Sequence, residues 1–539
     1  MYQAGPKKVT LGRFSYWHLM TVVLVVFVLG ACDVNRSVAP DHIRIAIASD
    51  PSTLNPMTAS DGYAHMVNNY VFDTLIDQDK DTLAYIPALA ERWEISDDKK
   101  IYTFYLRKDV TWHDGQPFTA EDVVYSYNDV FMNPEFNAPA LKSYYQDVKR
   151  VYKVDEYTVR FEYDKVYFRG LIMCGAFPIV PKHIVSPYKD FDASPFSRHP
   201  VGTGPYQFKE WVTNGHIVLE RNEAYWGPKP AIRVIEFKVV SDTAIGLQIL
   251  KKGELDVMGL TTIQWARQTS SQKFADMFHV LKYPSTGYSY IGWNNKHPIF
   301  QDPRVRQAMT QLLNRKKINE KINFGLGEIV TGPFFVGSKQ YDSTIEPHEY
   351  NIAQAKALLK AAGWRDSDGD GILDKEGKRF SFTYLFPSGS KFAERVGTIY
   401  KEALQRVGIE MNMSRLEWAA FLDKLYNRDF DVVTLACTMP FEADPYQVWD
   451  MSQANIKSSS NYISYVNVEA SKLMREAREE FDEEKRNVKY RLFHKIIHEE
   501  QPYTFLYNQP NIIAVSKRFG NVKTHPAGLE LREWTVRNR

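Results

Sequence analysis

Charge of one sign is what this 539-residue chain has little of. The formal net charge is +2. Three of the 67 basic side chains, Lys7, Lys8 and Arg13, precede an apolar run with no acidic residue beside them, so the rest of the chain is balanced to within one charge. A nucleic-acid partner would need a strong basic patch or excess, and nothing in the sequence looks like one. Long hydrophobic runs are lacking too: beyond residue 32 none could span a bilayer. Signatures of catalysis are missing, with no GxSxG elbow and no GxxxxGK(S/T) phosphate loop. His494 and His498 stand i, i+4 on an expected helix around 488–498. The zinc-protease pattern needs a glutamate directly after the first histidine, where Lys495 stands, so both are read as packing or surface residues. No enzyme is expected. Repeats and low-complexity tracts are absent, and cysteine is scarce, at 32, 174 and 437.

What is present begins at the N-terminus. After the three basic residues comes an apolar run from Leu19 to Leu29, interrupted only by Thr21. It is short for a membrane span and has the layout of a secretory signal peptide over residues 1–31. Its end, Leu29-Gly30-Ala31-Cys32, looks like the lipobox of a bacterial lipoprotein. Cys32 would then carry the acyl chains, and two chains suffice for stable anchoring where one does not. The expected location is exported and lipid-anchored, at the periplasmic face of the cell membrane or the outer cell surface. Asp33 resembles an inner-membrane retention signal of Gram-negative lipoproteins. The mature length exceeds what one core supports, so two or more lobes are expected. Aromatics at 14% suit large cores and a cleft lined by groups that are both apolar and hydrogen-bonding.

Residues 93–127 carry the clearest local signals. Tyr102, Phe104 and Leu106 alternate with Thr103, Tyr105 and Arg107, the period of a half-buried strand. Asp114-Gly115 marks a tight turn, and Thr119 with Asp122 three residues on forms a capping box ahead of an amphipathic helix. Further along, alternating Ile43, Ile45 and Ile47 predict a first strand. Helix 243–251 between strands at 234–240 and 255–258 gives a βαβ order. A single helix is expected over 305–318, and one at 352–362 with Asn351 as cap and Gln354 at the capping-box position. Strands at 380–386, 409–416 and 430–436 alternate with helices at 392–407 and 418–426. That order argues for a mainly parallel sheet with its ligand crevice at the carboxyl ends of the strands.

The literal order of residues in 93–127 closely resembles the signature region of the family 5 extracellular solute-binding proteins, the oligopeptide- and dipeptide-binding components of ABC importers. Ser52-Thr53-Leu54-Asn55-Pro56, residues 71–76 (VFDTLI) and residues 222–227 (NEAYWG) resemble the same family. The resemblance implies an α/β, periplasmic-binding-protein-like, two-lobed fold with an extra inserted domain: three domains, mixed sheets and a hinge between lobes. Residues 32–76, 200–285 and 505–539 would build lobe I, 77–199 the inserted domain II, and 286–504 lobe III. Cys174 and Cys437 then fall in different lobes. An exported compartment permits a disulfide, but a bridge would lock a cleft that must open, so two buried free thiols are expected. His113, inside the family-like string, is expected to be structural.

The function so implied is that of a lipid-anchored receptor, a monomer without cofactor. It captures a peptide or similar small solute between its lobes and delivers it to an ABC permease and ATPase. A surface signalling receptor or chaperone-like lipoprotein is the alternative. Family 5 relatives also resemble binders of nickel, haem or sugars, because fold does not fix the solute. By resemblance, extended peptides lie against two backbone edges, the turn Ser49-Asp50-Pro51-Ser52 and the strand end Ala436-Cys437-Thr438-Met439. In peptide-binding relatives an aspartate just after that strand pairs with the peptide's α-amino group. Here its place falls on Pro440 or Phe441, and neither can hold a charge. Since an unpartnered buried ammonium costs several kcal/mol, either Glu442 or Asp444 takes over that role or the solute has no free amine.

One further motif is read from spacing alone. Asp366, Asp368, Asp370 and Asp374 occupy positions one, three, five and nine of a calcium-type loop, with Gly371 at six. Gly377 stands where the bidentate glutamate belongs, so the expectation is a weak structural calcium site or a solvated turn.

Overall fold

A computed structural model describes residues 39–59, 61–136, 139–188, 194–457 and 459–537. The leader, Cys32 and Asp33 lie outside the described residues. Among those described, no helix is long and apolar enough to cross a membrane.

Three sheets organise the chain. The first has seven strands in the order Phe278–Tyr283, Asn511–Ser516, Val257–Gly259, His42–Ile47, Val234–Val239, His216–Arg221 and Tyr206–Val212. Ile43, Ile45 and Ile47 are buried, as their alternation predicts. His42–Ile47 lies parallel to both Val234–Val239 and Val257–Gly259. Helix Thr243–Lys251 makes the crossover between those two strands, opened by the Asp242 cap and closed by Gly253 at φ +76°.

The second sheet is antiparallel throughout: Ala90–Ile95, Ile101–Leu106, Thr158–Tyr163, Val148–Asp155. The capping box forms as read, Thr119 accepting from the first turn while Asp122 Oδ2 accepts from the Thr119 N–H at 3.0 Å. Helix Ala120–Tyr125 then widens into a π-helical turn over Ser126–Phe131.

The third sheet runs Glu410–Leu416, Ser381–Pro387, Val432–Cys437, Tyr288–Trp293, Tyr503–Phe505. Its first three strands are mutually parallel, as their alternation with helices predicts; Tyr288–Trp293 joins them antiparallel and Tyr503–Phe505 pairs antiparallel with it in turn, so the sheet is mixed. The strands 288–293 and 503–505 pair across more than 200 residues of chain, so no single crossover helix between sheet neighbours reveals their direction. The helix expected over 305–318 is two, Pro303–Gln311 and Arg315–Ile322. Asn314 breaks it by capping the second helix at the Lys317 N–H, 2.9 Å away. The break lets buried Arg315 donate to the Phe505 and His348 carbonyls at 2.8 and 2.7 Å. Apolar Leu312, Leu313 and Ile318 fit either geometry, which is why the periodicity ran through. The last long helix spans Glu483–Glu500, starting earlier than read because Asp482 caps it. Asn351 caps helix Ile352–Ala361, accepting from the Gln354 N–H at 3.0 Å.

The cores are unequally shared. One buried apolar cluster runs from the second sheet into the helices behind the third, where Phe168 meets Tyr490 at 6.0 Å between ring centroids and its N–H donates to the Arg478 carbonyl at 2.9 Å. The first sheet keeps separate clusters on its faces. It meets the third sheet's unit along two adjacent chain crossings, where Asn508 Nδ2 donates to the carbonyls of Ser285 and Gly287 at 2.6 and 2.5 Å. The crossing to the second sheet is tight. A Cβ on Gly202 would sit 1.8 Å from the Val71 carbonyl oxygen, so only glycine fits there.

Candidate functional site

Val432–Cys437 is paired on both sides only at its beginning. Val432 and Val433 register with Tyr384 and Leu385, after which Ser381–Pro387 diverges. Among the described residues, Thr434 to Cys437 keep a single strand neighbour, Tyr288–Trp293. The second half of the strand therefore presents an open backbone edge. That edge faces two cavities, of about 850 and 730 Å³, which share Tyr288, Ala436, Cys437 and Thr438 in their walls.

The larger cavity is closed on the far side by Thr261 and Gln264, at the start of a helix belonging to the first sheet's unit, and by Lys391 and Arg395. Walls of the smaller one come from all three units: Asp61 and Gly62 from the first, Tyr144 and Arg169 from the second, and Tyr290, Trp418 and Asp444 from the third. Tyr290 stacks on Tyr503 at 3.9 Å between centroids, giving the cavity a flat aromatic floor. Burial pushes the Cys437 thiol up to about 11, so it stays a neutral wall group.

The residues expected to bind ligand divide into two groups. Ala436, Cys437 and Thr438 line both cavities, and Met439 and Asp444 line the smaller. Asp50, Ser52 and Glu442 line neither. Asp50 accepts from Trp211 Nε1 at 2.8 Å and the Asn214 N–H at 2.5 Å, which fixes the turn instead. Ser52 acts one step back: its N–H and hydroxyl both donate to Asp61 Oδ2, at 3.0 and 2.7 Å. Asp61 also caps helix Gly62–Val71 through the Tyr63 and Ala64 N–H groups. Burial opposes ionisation of Asp61, but these hydrogen bonds outweigh it and hold the carboxyl below its ordinary value.

Neither carboxylate expected to receive an amine is free. Glu442 is ion-paired with Arg486. Asp444 has a fully buried side chain, its Oδ2 taken by Arg478 Nε at 3.0 Å and by the Tyr167 hydroxyl at 2.9 Å. Its Oδ1 accepts from the Tyr446 N–H at 3.1 Å. Pro440 lines the smaller cavity, and Phe441 packs on Phe335.

Residues 84–459 match the family described as "Bacterial extracellular solute-binding proteins, family 5 Middle". The chain belongs to that family. Family 5 proteins bind solutes and are not enzymes, and the relatives agree. The chain is similar to the oligopeptide-binding protein AppA of Bacillus subtilis (strain 168), 33% identical over 490 residues, 88% of each chain. The solved structure of that protein in complex with a nonapeptide matches with a TM-score of 0.82 and 31% identity, covering 92% of this chain and 99% of the other. The Escherichia coli (strain K12) dipeptide-binding protein is 24% identical over 524 residues, 93% of this chain and 95% of its own. NikZ from Campylobacter jejuni in complex with Ni(L-His) shares the fold, with a TM-score of 0.81, 23% identity, and 92% and 100% coverage. The fold is thus the mixed, multi-domain α/β architecture of periplasmic binding proteins.

Elsewhere in this family 5 protein, the motifs read from spacing fall as follows. Asp366, Asp368 and Asp374 bring one carboxylate oxygen each within 4.8 Å of one another. Asp370 does not join them, because Arg379 draws it away at 2.8 Å. His494 and His498 are packing residues. His494 Nδ1 accepts from the Asp342 N–H at 3.1 Å and its Nε2 lies 3.1 Å from Thr331 Oγ1. His498 stacks on His348. His113 accepts from the Gly202 N–H at Nδ1, and its Nε2 lies 3.0 Å from the Gly204 carbonyl, so it ties the Trp112–Gly115 turn to the first sheet's unit. Cys174 and Cys437 are unbridged.

Sequence reasoning missed Asp61, Tyr144, Arg169 and Trp418. Arg169 left a readable trace, as the only charge between Lys165 and Lys182 in an otherwise apolar stretch. The other three are ordinary for their positions, and only the meeting of three units makes them a wall.

Proposed function

We propose that this family 5 protein is the lipid-anchored receptor of an ABC importer, capturing a peptide or peptide-like solute between its units and presenting the closed form to a permease. The observation that carries this reading is the unpaired half of Val432–Cys437 facing both cavities. A free strand edge recognises any extended backbone through its N–H and C=O groups, irrespective of side chains. The relatives point the same way, since the similar AppA is described as oligopeptide-binding and was solved with a nonapeptide. Residues 39–76, 200–285 and 505–537 are taken as one lobe, 77–199 as the inserted domain and 286–504 as the other lobe. Ligand stabilises the closed state by binding it better than the open one.

Mass spectrometry of what co-purifies with the receptor after gentle release should find peptides, and deletion should abolish uptake of the same peptides. A single metal complex or sugar in the eluate would remove the peptide reading. For the anchor, Cys32→Ala is expected to abolish fatty-acid labelling and move the folded protein from membrane to soluble fractions. Labelling that persists would refute it. A second reading, a solute without a free amine, is favoured by the prior engagement of Glu442 by Arg486 and Asp444 by Arg478. Calorimetry with free and N-acetylated peptides separates the two. Acetylation should raise affinity under the second reading, by removing an unpartnered ammonium, and reduce it under the first.

A further inference from the structure

The charge census of the cleft is lopsided. Lys391 and Arg395 line the larger cavity, with no carboxylate in its described wall. In the smaller cavity the ionisable acids are Asp61 and Asp444 and the cation is Arg169. Both acids are spoken for, Asp61 by four donors at the helix start and Asp444 by Arg478, Tyr167 and the Tyr446 N–H. Arg169 is not. Among the described residues its guanidinium makes no hydrogen bond and no ion pair, although it is half-buried and sits in the cavity wall.

A half-buried guanidinium with no hydrogen-bond partner leaves N–H donors available to a solute in the cavity. Burial would lower the pKa of Arg169, but nearby Tyr167 and Asp444 outweigh it and the net shift is upward, so the group stays charged. The simplest occupant that satisfies a planar fork of donors is a carboxylate, which it can hold through two parallel hydrogen bonds. Tyr144, whose hydroxyl donates to Gln447 Oε1 at 3.0 Å, stands in the same wall.

We propose that Arg169 is the anchor for a carboxylate of the bound solute, either a chain terminus or an acidic side chain. This deepens the peptide-receptor reading and rests on it for the identity of the rest of the solute. It assigns to the second sheet's unit the job of choosing acidic ligands, while the strand edge at 434–438 holds backbone.

The test is titration calorimetry of the mature protein with three probes: tetra-alanine, its C-terminal amide, and the same amide carrying one glutamate. Arg169→Gln should weaken a carboxylate-bearing probe on the order of ten- to a hundredfold, the range of a charged hydrogen bond. It should leave the carboxylate-free amide unchanged, and Arg169→Lys should keep part of the affinity. Whether tetra-alanine or the glutamate amide suffers the loss tells terminus from side chain. Equal loss for all probes, or no loss for any, overturns the proposal and makes Arg169 a packing residue. A parallel thermal-shift series with succinate needs no peptide. If no peptide binds but succinate raises the melting temperature of the wild type and not of Arg169→Gln, the anchor stands and the peptide reading falls. If succinate affects both proteins alike and no peptide discriminates, the anchor falls.

Discussion

At the scale of single residues, burial decides which titratable groups can answer to pH. His494 is fully buried, and burial lowers its pKa to about 4 against 6.5 for a free ring. The unfolded chain therefore takes up a proton near pH 6.5 that the folded one refuses until about 4. The stabilisation is complete above pH 6.5 and is lost as pH falls toward 4, on the order of 3 kcal/mol for this ring. Asp73 acts with opposite sign. Burial raises it to about 7, so its contribution weakens as pH rises from 4 to 7. Urea denaturation of wild type and His494→Gln at several pH values isolates the histidine: the substitution should flatten the loss of stability between pH 6.5 and 4. An unchanged slope would show that His494 titrates normally in the folded protein. That both histidines of the i, i+4 pair pack inward agrees with Lys495 standing where a zinc protease needs glutamate. The ring's partners, Thr331 and Asp342, come from 150 or more residues away. No local pattern could have named them.

Elements were legible where their ends were written locally. Thr119 with Asp122, Asp242 with Gly253, and Asn351 with Gly363 at φ +93° each mark a start or a stop by the chemistry of one or two side chains. The split of 305–318 was not legible, since the reason for it, Arg315 reaching the Phe505 and His348 carbonyls, is tertiary. The loop at 366–374 lies between these cases. Its glycines at 369 and 371 take the left-handed backbone that the turn needs, and Asp366 already accepts from the Gly369 and Gly371 N–H groups at 2.8 and 3.1 Å. Spacing alone had counted four carboxylates, whereas three converge. Calcium at ten times its dissociation constant should stabilise the protein by about 1.4 kcal/mol. Asp368→Ala should erase that gain and Asp370→Ala should keep it. A melting temperature indifferent to ten millimolar calcium would mark the loop as a turn held by its own hydrogen bonds.

On the scale of the whole molecule, the alternation of strands and helices foretold α/β layers, and the family-like strings foretold a multi-domain binding protein. The walls of the cleft stayed hidden because Asp61, Arg169 and Asp444 come from three separate stretches of chain. The two crossings beside the larger cavity tie the first sheet's unit to the third at neighbouring points, and Asn508 fastens one crossing to the other. Two fixed points leave rotation about one axis as the easy motion. Asn508→Ala removes two hydrogen bonds and orphans two carbonyls, a cost of roughly 2–3 kcal/mol. It should lower the denaturation midpoint of the ligand-free protein and blunt the contraction that the proposed closure predicts for small-angle scattering with added peptide. Full contraction in that variant would place the axis elsewhere.

The aromatic core shared by the second and third sheets has a mechanical corollary. The second sheet's unit is packed to the third behind Phe168 and Tyr490 and tied to the first by His113 and the Gly202 crossing, so in the proposed closure it would link the two lobes. A solute held by that linking unit would then bear on both lobes at once. On the proposed reading, the generic surface, a strand edge indifferent to side chains, and the selective one, the Tyr144–Arg169 wall, would be separable by substitution while serving the same closure. A lineage could retune its diet by rewriting a few wall residues and leave untouched both the hinge and the face a permease would read.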